Sequence, residues 1–527
     1  MPTSGHVQAA LLFCFSSMTA MPALAGQAPG RAAVVRPSQA RPPAGPMARI
    51  IWLEAEPGAR PQPGQAPVYR EIPAADARLG DFTRWIDTEA GRFARRLVYL
   101  AWKRFGDDPV FREPVLPIVV RKDGNNAAYA LSISRPGGPE AHPKLPYLIL
   151  DPSPTFLGDT LLHEAGHVLQ SLAMRGRRGN PGWSAFPHTT FAVSDPVTAL
   201  AEGFGIHFET LWGHFGSEPA KRAYYHRLAP SFEPDKGRKA EYFAPVDDLM
   251  NFAQVWSRYQ AVRDTWPAFE GHVYAGIYAR SQMDPARDRA RLKSPNAMLA
   301  SEGVAASVMF WTATGLAQAG GAQPGGGLDQ PALVEAEMTL LEAFASLPAT
   351  GSATFRPDLV DLVAALVALR PQAGDIAVSR FVDVTRGVTA RPAIREQWRT
   401  LYDKAIMLDL AEAKALIPQM DVARGEIVAQ ARRDLGSLRA GVGPVIPVRC
   451  PSSSFQLKAL GEAMPVEFDL NAMSAAEYAL LSSLSSDTQA GIERERARAP
   501  FASVADFTSR TGLTLQAMGL VEAERRP

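Results

Sequence analysis

The sequence predicts an α+β fold, predominantly α, in which a small β-sheet precedes a large helical region and a small all-α C-terminal module. Two observations predict this order. Three short β-rich runs separated by Gly, Pro and Asn lie before residue 151, whereas nearly all of the chain after Pro154 has its apolar residues at helical spacing. The 527 residues are enough for two or three domains with a sizeable core.

The first 25 residues resemble a secretory signal peptide. An apolar run, Ala9 to Phe15, leads to small residues ending in Ala23-Leu24-Ala25, the small-x-small pattern that signal peptidases cleave. The segment contains no Lys or Arg, so an unstructured start of the chain is the alternative. Residues 26–66 are rich in Pro, Ala, Gly and Arg, which predicts a linker. We therefore expect an exported protein, periplasmic or extracellular.

Charge and composition limit the possible partners. The formal net charge is +1, which gives no indication of a nucleic-acid or membrane-surface partner. After the signal, no run reaches the ~18 uninterrupted apolar residues that a membrane span requires. Removal of the signal leaves a single cysteine, Cys450, so we expect no internal disulfide. The oligomeric state is left open.

The elements follow from the periodicity. A helix is predicted from Leu79 to Phe105, with apolar residues on one stripe: Phe82, Trp85, Phe93, Leu97 and Leu100. The β-rich runs are Val115–Val120, Ala128–Ser134 and Tyr147–Leu150. Further helices are predicted over 155–175, 196–213, 217–228, 246–265, 296–317, 331–346, 356–369 and 394–435. Residues 67–435 would form one region, joined by a linker, 436–455, to a module over 456–527.

The motif that predicts chemistry is His163-Glu164-Ala165-Gly166-His167. Residues four apart share one face of a helix, so the two imidazoles could hold one zinc ion, and Glu164 could act as general base toward a water that zinc activates. The opposite face of this helix would be an apolar stripe of Leu161, Ala165, Val168 and Leu172, which turns the polar face toward a cleft or solvent. The alternative is a pair of surface histidines on a solvated helix.

A third ligand is needed, and Glu202 is the best candidate. It lies on a predicted helix that Asp195 and Pro196 would cap, and it points away from the apolar stripe of that helix. Gly203 and Gly205 weaken a helix unless another element must approach closely, which favours a site here over a solvated glutamate.

Other polar residues rank lower. Glu302, in Ser301-Glu302-Gly303, is the rival third ligand, with substrate binding or a core hydrogen bond as its alternative role. Further ligand candidates, ranked below it, are His188, Asp195, His207 and Glu209. Candidate donors to a developing oxyanion are His188, Tyr224, Tyr225 and His226, chosen by residue type and position alone.

His163-Glu164-x-x-His167, followed 35 residues later by Glu202-Gly203-Phe204, resembles the gluzincin metallopeptidases over roughly residues 110–215. The resemblance implies one zinc ion per chain bound by His163, His167 and Glu202, with Glu164 as the base and a peptide or protein as substrate. It also implies a small sheet before the active-site helix. The metzincin extension is absent, since Gln170 and Ala173 replace its Gly and His. The sequence also lacks the exopeptidase signature of the aminopeptidase branch, so exopeptidase action is not implied.

The C-terminal residues 468–513 are similar to the helix-hairpin-helix repeat of DNA-uptake competence proteins. The similarity rests on Phe468-Asp469-Leu470-Asn471, then Leu481 to Ser485, then Pro500 to Phe507. Ser483 and Ser485 replace the glycines whose backbone N–H groups grip phosphate in that repeat. Residues 468–527 carry six basic and eight acidic side chains, a net charge of −2, which disfavours DNA binding. We therefore expect a degenerate module that packs on the rest of the chain or binds a protein.

These observations predict an exported zinc-dependent metallohydrolase, most simply a peptidase. Two alternatives stay open. One is a non-catalytic envelope scaffold that keeps a relic metal site, and the other is a nucleic-acid-associated protein acting through the C-terminal module.

Overall fold

The structure is a computed structural model. It describes residues 45–57, 65–106, 110–122, 124–151, 157–175, 195–217, 293–348, 357–385, 387–390, 396, 400–401, 410–449, 467–473 and 484–523. Several predictions from the sequence lie outside these residues: the signal peptide, the helix over 246–265, nearly all of 217–228, and His188, Tyr224, Tyr225, His226, Cys450 and Ser483.

Five strands close into a small barrel. They are β1 (Arg49–Ala55), β2 (Val68–Glu71), β3 (Val115–Val120), β4 (Asn125–Arg135) and β5 (Gly138–Leu150), in the order β1-β2-β4-β5-β3, with β3 pairing back onto β1. The β1/β2 and β4/β5 pairs are antiparallel, and the other pairs are parallel. All three predicted β-runs lie in strands of this barrel.

Strand β1 falls inside the segment 26–66, so the prediction of a linker was wrong for Arg49–Ala55. Its buried side chains, Ile51 and Leu53, alternate with more exposed ones, as a half-buried strand requires. The Pro-rich residues on either side obscured that alternation in the sequence.

The helix predicted over 79–105 is two helices, α1 (Arg78–Ile86) and α2 (Glu89–Phe105). The break occurs at Thr88, whose extended backbone ends helical geometry and whose hydroxyl accepts a 3.1 Å hydrogen bond from the Gly91 N–H. A threonine cap of this kind starts the second helix.

The helical region has α4 at its centre. Its helices are α3 (Leu157–Ala173), α4 (Pro196–Phe215), α5 (Pro295–Leu299), α6 (Glu302–Ala319), α7 (Pro331–Ser346), α8 (Leu359–Leu369), α9 (Pro371–Thr385) and α10 (Leu410–Arg433), followed by a 3-10 turn at Leu435–Arg439. Helix α4 packs between α3 and α6 and is buried on all sides from Gly203 to Gly213.

Agreement with the predicted helices varies. Helix α7 has the predicted ends, and the predicted helix 296–317 is divided into α5 and α6 at Ser301. Helix α9 was not predicted, and α10 covers the later part of the predicted helix 394–435.

The C-terminal module is not all-α, contrary to the prediction. It contains helices α11 (Ser486–Arg498) and α12 (Val504–Thr511) beside an antiparallel sheet of β6 (Pro447–Arg449), β7 (Glu467–Asp469) and β8 (Val521–Glu522). The central strand, β6, lies in the segment predicted as the linker 436–455. That segment therefore belongs in part to the module.

The module packs on α5. Ala297 and Ala300 share its apolar core with Phe468, Phe501 and Phe507. Asn296 of α5 accepts a 2.9 Å hydrogen bond from the Gly443 N–H and donates one of 2.9 Å to Asp469. The contact is thus both apolar and hydrogen-bonded.

The predicted fold class, α+β and predominantly α with a small sheet, is confirmed. None of the helices in the described ranges has the length and apolar character of a membrane span.

Candidate metal centre

Helix α3 carries His163, Glu164 and His167 and packs against α4, α2, β4 and β5. The predicted apolar stripe, Leu161, Ala165, Val168 and Leu172, is buried. Thr160, Glu164, Gln170 and Ser171 are also buried, so the polar face is not turned to open solvent, which was one of its two predicted surroundings. The two imidazoles are partly exposed, His163 over 20% and His167 over 14% of the side chain.

Helix α4 presents Glu202 to these imidazoles. The Asp195 carboxylate caps the helix as predicted, accepting hydrogen bonds from the N–H groups of Val197 at 3.0 Å and Thr198 at 3.1 Å. Pro196 follows in the first turn. The cap fixes where α4 begins, and packing against α3 and α6 sets which side of the helix faces the imidazoles.

Glycines allow α4 to approach its neighbours. A Cβ on Gly166 would lie 3.1 Å from the Cα of Gly205, and a Cβ on Gly205 would lie 3.0 Å from Cε1 and Nε2 of His163. On the other side of α4, a Cβ on Gly203 would lie 2.7 Å from the Cβ of Ala305. Gly203 and Gly205 therefore lie where another element approaches α4 closely, as their presence in a helix predicted.

Three ligand atoms converge between α3 and α4. The Nε2 atoms of His163 and His167 are 3.2 Å apart, and Oε2 of Glu202 is 3.3 Å from each of them. Four ligands placed tetrahedrally at 2.0–2.1 Å from a zinc ion are separated by about 3.3–3.4 Å. The donor set and its spacing therefore fit zinc with one position left for another ligand.

Glu202, and not the rival Glu302, completes this cluster. Within the described part of the chain, it is the one group of three or more His, Cys, Asp or Glu side chains with ligand atoms so close together. Glu302 is buried at the start of α6, where its carbonyl oxygen faces Gly203. It is not part of the cluster.

The charges around the cluster favour a cation. Burial lowers the pKa of His163, but the neighbouring carboxylates of Glu202, Glu209 and Glu164 outweigh it and hold the pKa well above its ordinary value. A place that stabilises a proton on imidazole in this way also stabilises a bound cation.

Glu164 is buried beside the cluster, with the backbone N–H of Ala127 in β4 donating a hydrogen bond to its carboxylate. Burial raises the pKa of Glu164; the two imidazoles lower it, and the negative charge of Glu202 raises it again, so the pKa stays above its usual value. A carboxylate with a raised pKa is a better proton acceptor. β4 thus contributes to the site by orienting the Glu164 carboxylate.

The ranking from sequence missed the position of Glu209. Its Oε2 lies 3.4 Å from Nδ1 of His163, and the residue as a whole is 2% exposed. The sequence did contain a signal for this position: Glu209 follows Glu202 by seven residues, which is two helical turns and places both on one face of the helix. His207, by contrast, points into the core, where Nε2 lies 3.0–3.1 Å from the carboxylate oxygens of Glu337.

No family model, curated protein or solved structure matches the chain. The chemical assignment therefore depends on the geometry of the site.

Proposed function

We propose that this chain is a zinc-dependent hydrolase that cleaves peptide bonds. The observation that carries the proposal is the triangle of His163 Nε2, His167 Nε2 and Glu202 Oε2, whose 3.2–3.3 Å sides match the ligand spacing of tetrahedral zinc. Three protein ligands with a fourth position open are the pattern of catalytic zinc, whereas structural zinc has four protein ligands. The gluzincin resemblance of the same residues adds support.

Each residue has a distinct task in this proposal. A zinc ion held by the cluster would supply Lewis-acid chemistry: it would lower the pKa of water and polarise a carbonyl. Glu164 accepts the proton of the attacking water and passes it to the leaving amine. The hydrogen bond from the Ala127 N–H keeps this carboxylate oriented. His163, His167 and Glu202 would hold the ion.

The test is the metal content of the purified full chain, measured by mass spectrometry, together with cleavage of a fluorogenic peptide library. We expect one zinc per chain, lost in His163→Ala and Glu202→Ala. Glu302→Gln is the matched control, because this glutamate is buried near the same helix but outside the cluster. Zinc retained at wild-type affinity in Glu202→Ala would refute the ligand assignment.

The same experiment distinguishes the alternatives. Bound zinc with no cleavage of any peptide would favour the non-catalytic scaffold with a relic site. Absence of zinc under zinc-replete conditions would remove the hydrolase proposal altogether. The buried Glu164 favours the hydrolase, because a relic site needs no base next to its ligands.

We propose that the C-terminal module has a docking role and not a DNA-binding one. Ser485 and Ser503 are the N-caps of α11 and α12, and their hydroxyls accept hydrogen bonds from the Thr488 and Asp506 N–H groups of the same helices. Its contacts with α5 and its net charge of −2 both support docking. Salt-sensitive binding of a labelled DNA duplex by the full chain would contradict this.

Export is proposed from the first 25 residues. N-terminal sequencing of the protein secreted by an expressing cell would give Gly26 as the first residue if the signal is cleaved after Ala25. Retention of the whole chain in the cytoplasm would contradict export.

A further inference from the structure

We propose that Glu209 is a positioning residue of the metal centre, which accepts the Nδ1–H of His163 and thereby directs Nε2 at the ion. The inference rests on the proposed zinc site and adds a residue to it. Its starting observation is the 3.4 Å separation between Glu209 Oε2 and His163 Nδ1.

Three residues of helix α4 lie against the same imidazole. Glu202, Gly205 and Glu209 follow at spacings of three and four residues, so all three lie on the face that meets α3. Glu202 Oε2 lies 3.3 Å from Nε2 of His163, Gly205 leaves the space that the ring fills, and Glu209 reaches Nδ1. Two carboxylates of one helix therefore lie next to the two nitrogens of the ring.

Burial makes the Glu209 contact selective. The Glu209 side chain is 3% exposed, so its charge is little screened and needs a partner that can donate or carry positive charge. A neutral imidazole has one N–H, and a carboxylate on Nδ1 stabilises the tautomer in which that N–H is on Nδ1. Nε2 is then the lone-pair nitrogen, which is the one in the ligand triangle. Metal-binding histidines commonly have such a carboxylate partner, and its loss weakens metal binding about 10- to 100-fold.

The other side of α4 provides a matched comparison. His207 and Glu337 form a second buried imidazole–carboxylate pair, with both side chains at most 1% exposed. This pair belongs to no three-residue ligand cluster among the described residues. Any general effect of disturbing a buried His–Glu pair on α4 should appear in both places, and an effect on zinc should appear only at Glu209.

The experiment is a competition titration of zinc between the full chain and a chromogenic chelator for wild type, Glu209→Gln, Glu209→Ala and Glu337→Gln. We expect Glu209→Ala to bind zinc about 10- to 100-fold more weakly, and Glu209→Gln to lose less because its amide oxygen can still accept the Nδ1–H. Glu337→Gln should keep the wild-type zinc affinity within about twofold. The ¹⁵N shifts of the His163 ring in the metal-free chain, at a pH where the ring is neutral, give a second readout: wild type should carry its proton on Nδ1, and Glu209→Ala should show a mixture of tautomers.

The outcomes separate this inference from the proposed function. Circular dichroism of the isosteric Glu209→Gln verifies that the variant is folded. Wild-type zinc affinity in Glu209→Ala, or an equal loss in Glu337→Gln, would overturn the role of Glu209 while leaving the zinc site standing. Failure of the wild type itself to bind zinc would overturn both.

Discussion

Gly205 on α4 faces the imidazole of His163 on α3 so closely that a Cβ at position 205 would lie 3.0 Å from both Cε1 and Nε2 of the ring. Gly166 of α3 faces the same stretch of α4, since a Cβ at position 166 would lie 3.1 Å from the Cα of Gly205. Two glycines therefore set the separation of the helices that carry the ligand atoms. The site depends on the absence of side chains as much as on the presence of the ligands.

Gly205→Ala should therefore damage the metal centre. The added methyl must push the imidazole away from its place, and we expect zinc affinity to fall at least about tenfold, with a loss of about 1–3 kcal/mol in stability from overpacking. Chelator competition and urea unfolding measure the two effects. Gly425→Ala, at an exposed helical position with no atom within 4 Å of the new Cβ, is the control and should stabilise by about 0.5–1 kcal/mol without affecting zinc. Unchanged zinc affinity in Gly205→Ala would contradict the role of this contact.

Glu164→Gln should separate metal binding from chemistry. Glutamine preserves the size of the side chain and can still accept the hydrogen bond from Ala127, but it cannot take a proton. We expect full zinc content and a fall of about 10²- to 10⁴-fold in the rate of peptide cleavage. Parallel metal analysis and cleavage assays on the same preparation make the comparison. A variant that cleaves at the wild-type rate would show that Glu164 is not the base.

Much of this site could be predicted from the sequence because its signals are local. The four-residue spacing of His163 and His167, the cap at Asp195 and the glycines beside Glu202 each report on one helix. The position of Glu209 was missed because its partner lies on another helix 46 residues away, and only the packing of α3 on α4 joins the two.

The fold was less predictable where structure depends on distant pairing. Strand β6 has three residues, Pro447–Arg449, and becomes a central strand through partners at 467–469 and 521–522. Helix α9 begins at Pro371 directly after α8 ends, and a proline there reads as a break although it is well tolerated in a first helical turn. In both cases tertiary contacts outweigh the local signal.

The buried pair of His207 and Glu337 should behave as one unit. Removing one member leaves a buried polar group without its partner, so His207→Leu and Glu337→Leu should each cost about 3 kcal/mol or more. The double substitution replaces the pair by apolar side chains and should recover much of that loss. A double-mutant cycle by urea unfolding measures the coupling. Additive losses would show that the two side chains do not stabilise the core through each other.

Stability should depend on pH through Asp469 in the contact between the C-terminal module and α5. Burial raises the pKa of Asp469 to about 6, although hydrogen bonds from Ile446 N–H, Asn296 and Asn471 N–H and the charge of Arg496 lower it. Because the folded-state pKa exceeds the usual value of 3.8, the folded chain holds this proton more tightly than the unfolded chain does. The stabilisation is complete below about pH 4 and is lost as the pH rises through 6.

The magnitude follows from the shift, since two pKa units correspond to about 3 kcal/mol, of which about 2 kcal/mol should be lost between pH 4 and pH 7.5. Asp469→Asn cannot titrate, so the difference in unfolding free energy between wild type and this variant removes the other groups from the comparison. We expect the variant to gain about 2 kcal/mol relative to wild type on going from pH 4 to pH 7.5. Urea unfolding at both pH values measures this. A difference that does not change with pH would mean that Asp469 titrates alike in the folded and unfolded chain, and its burial against α5 would then carry no linkage.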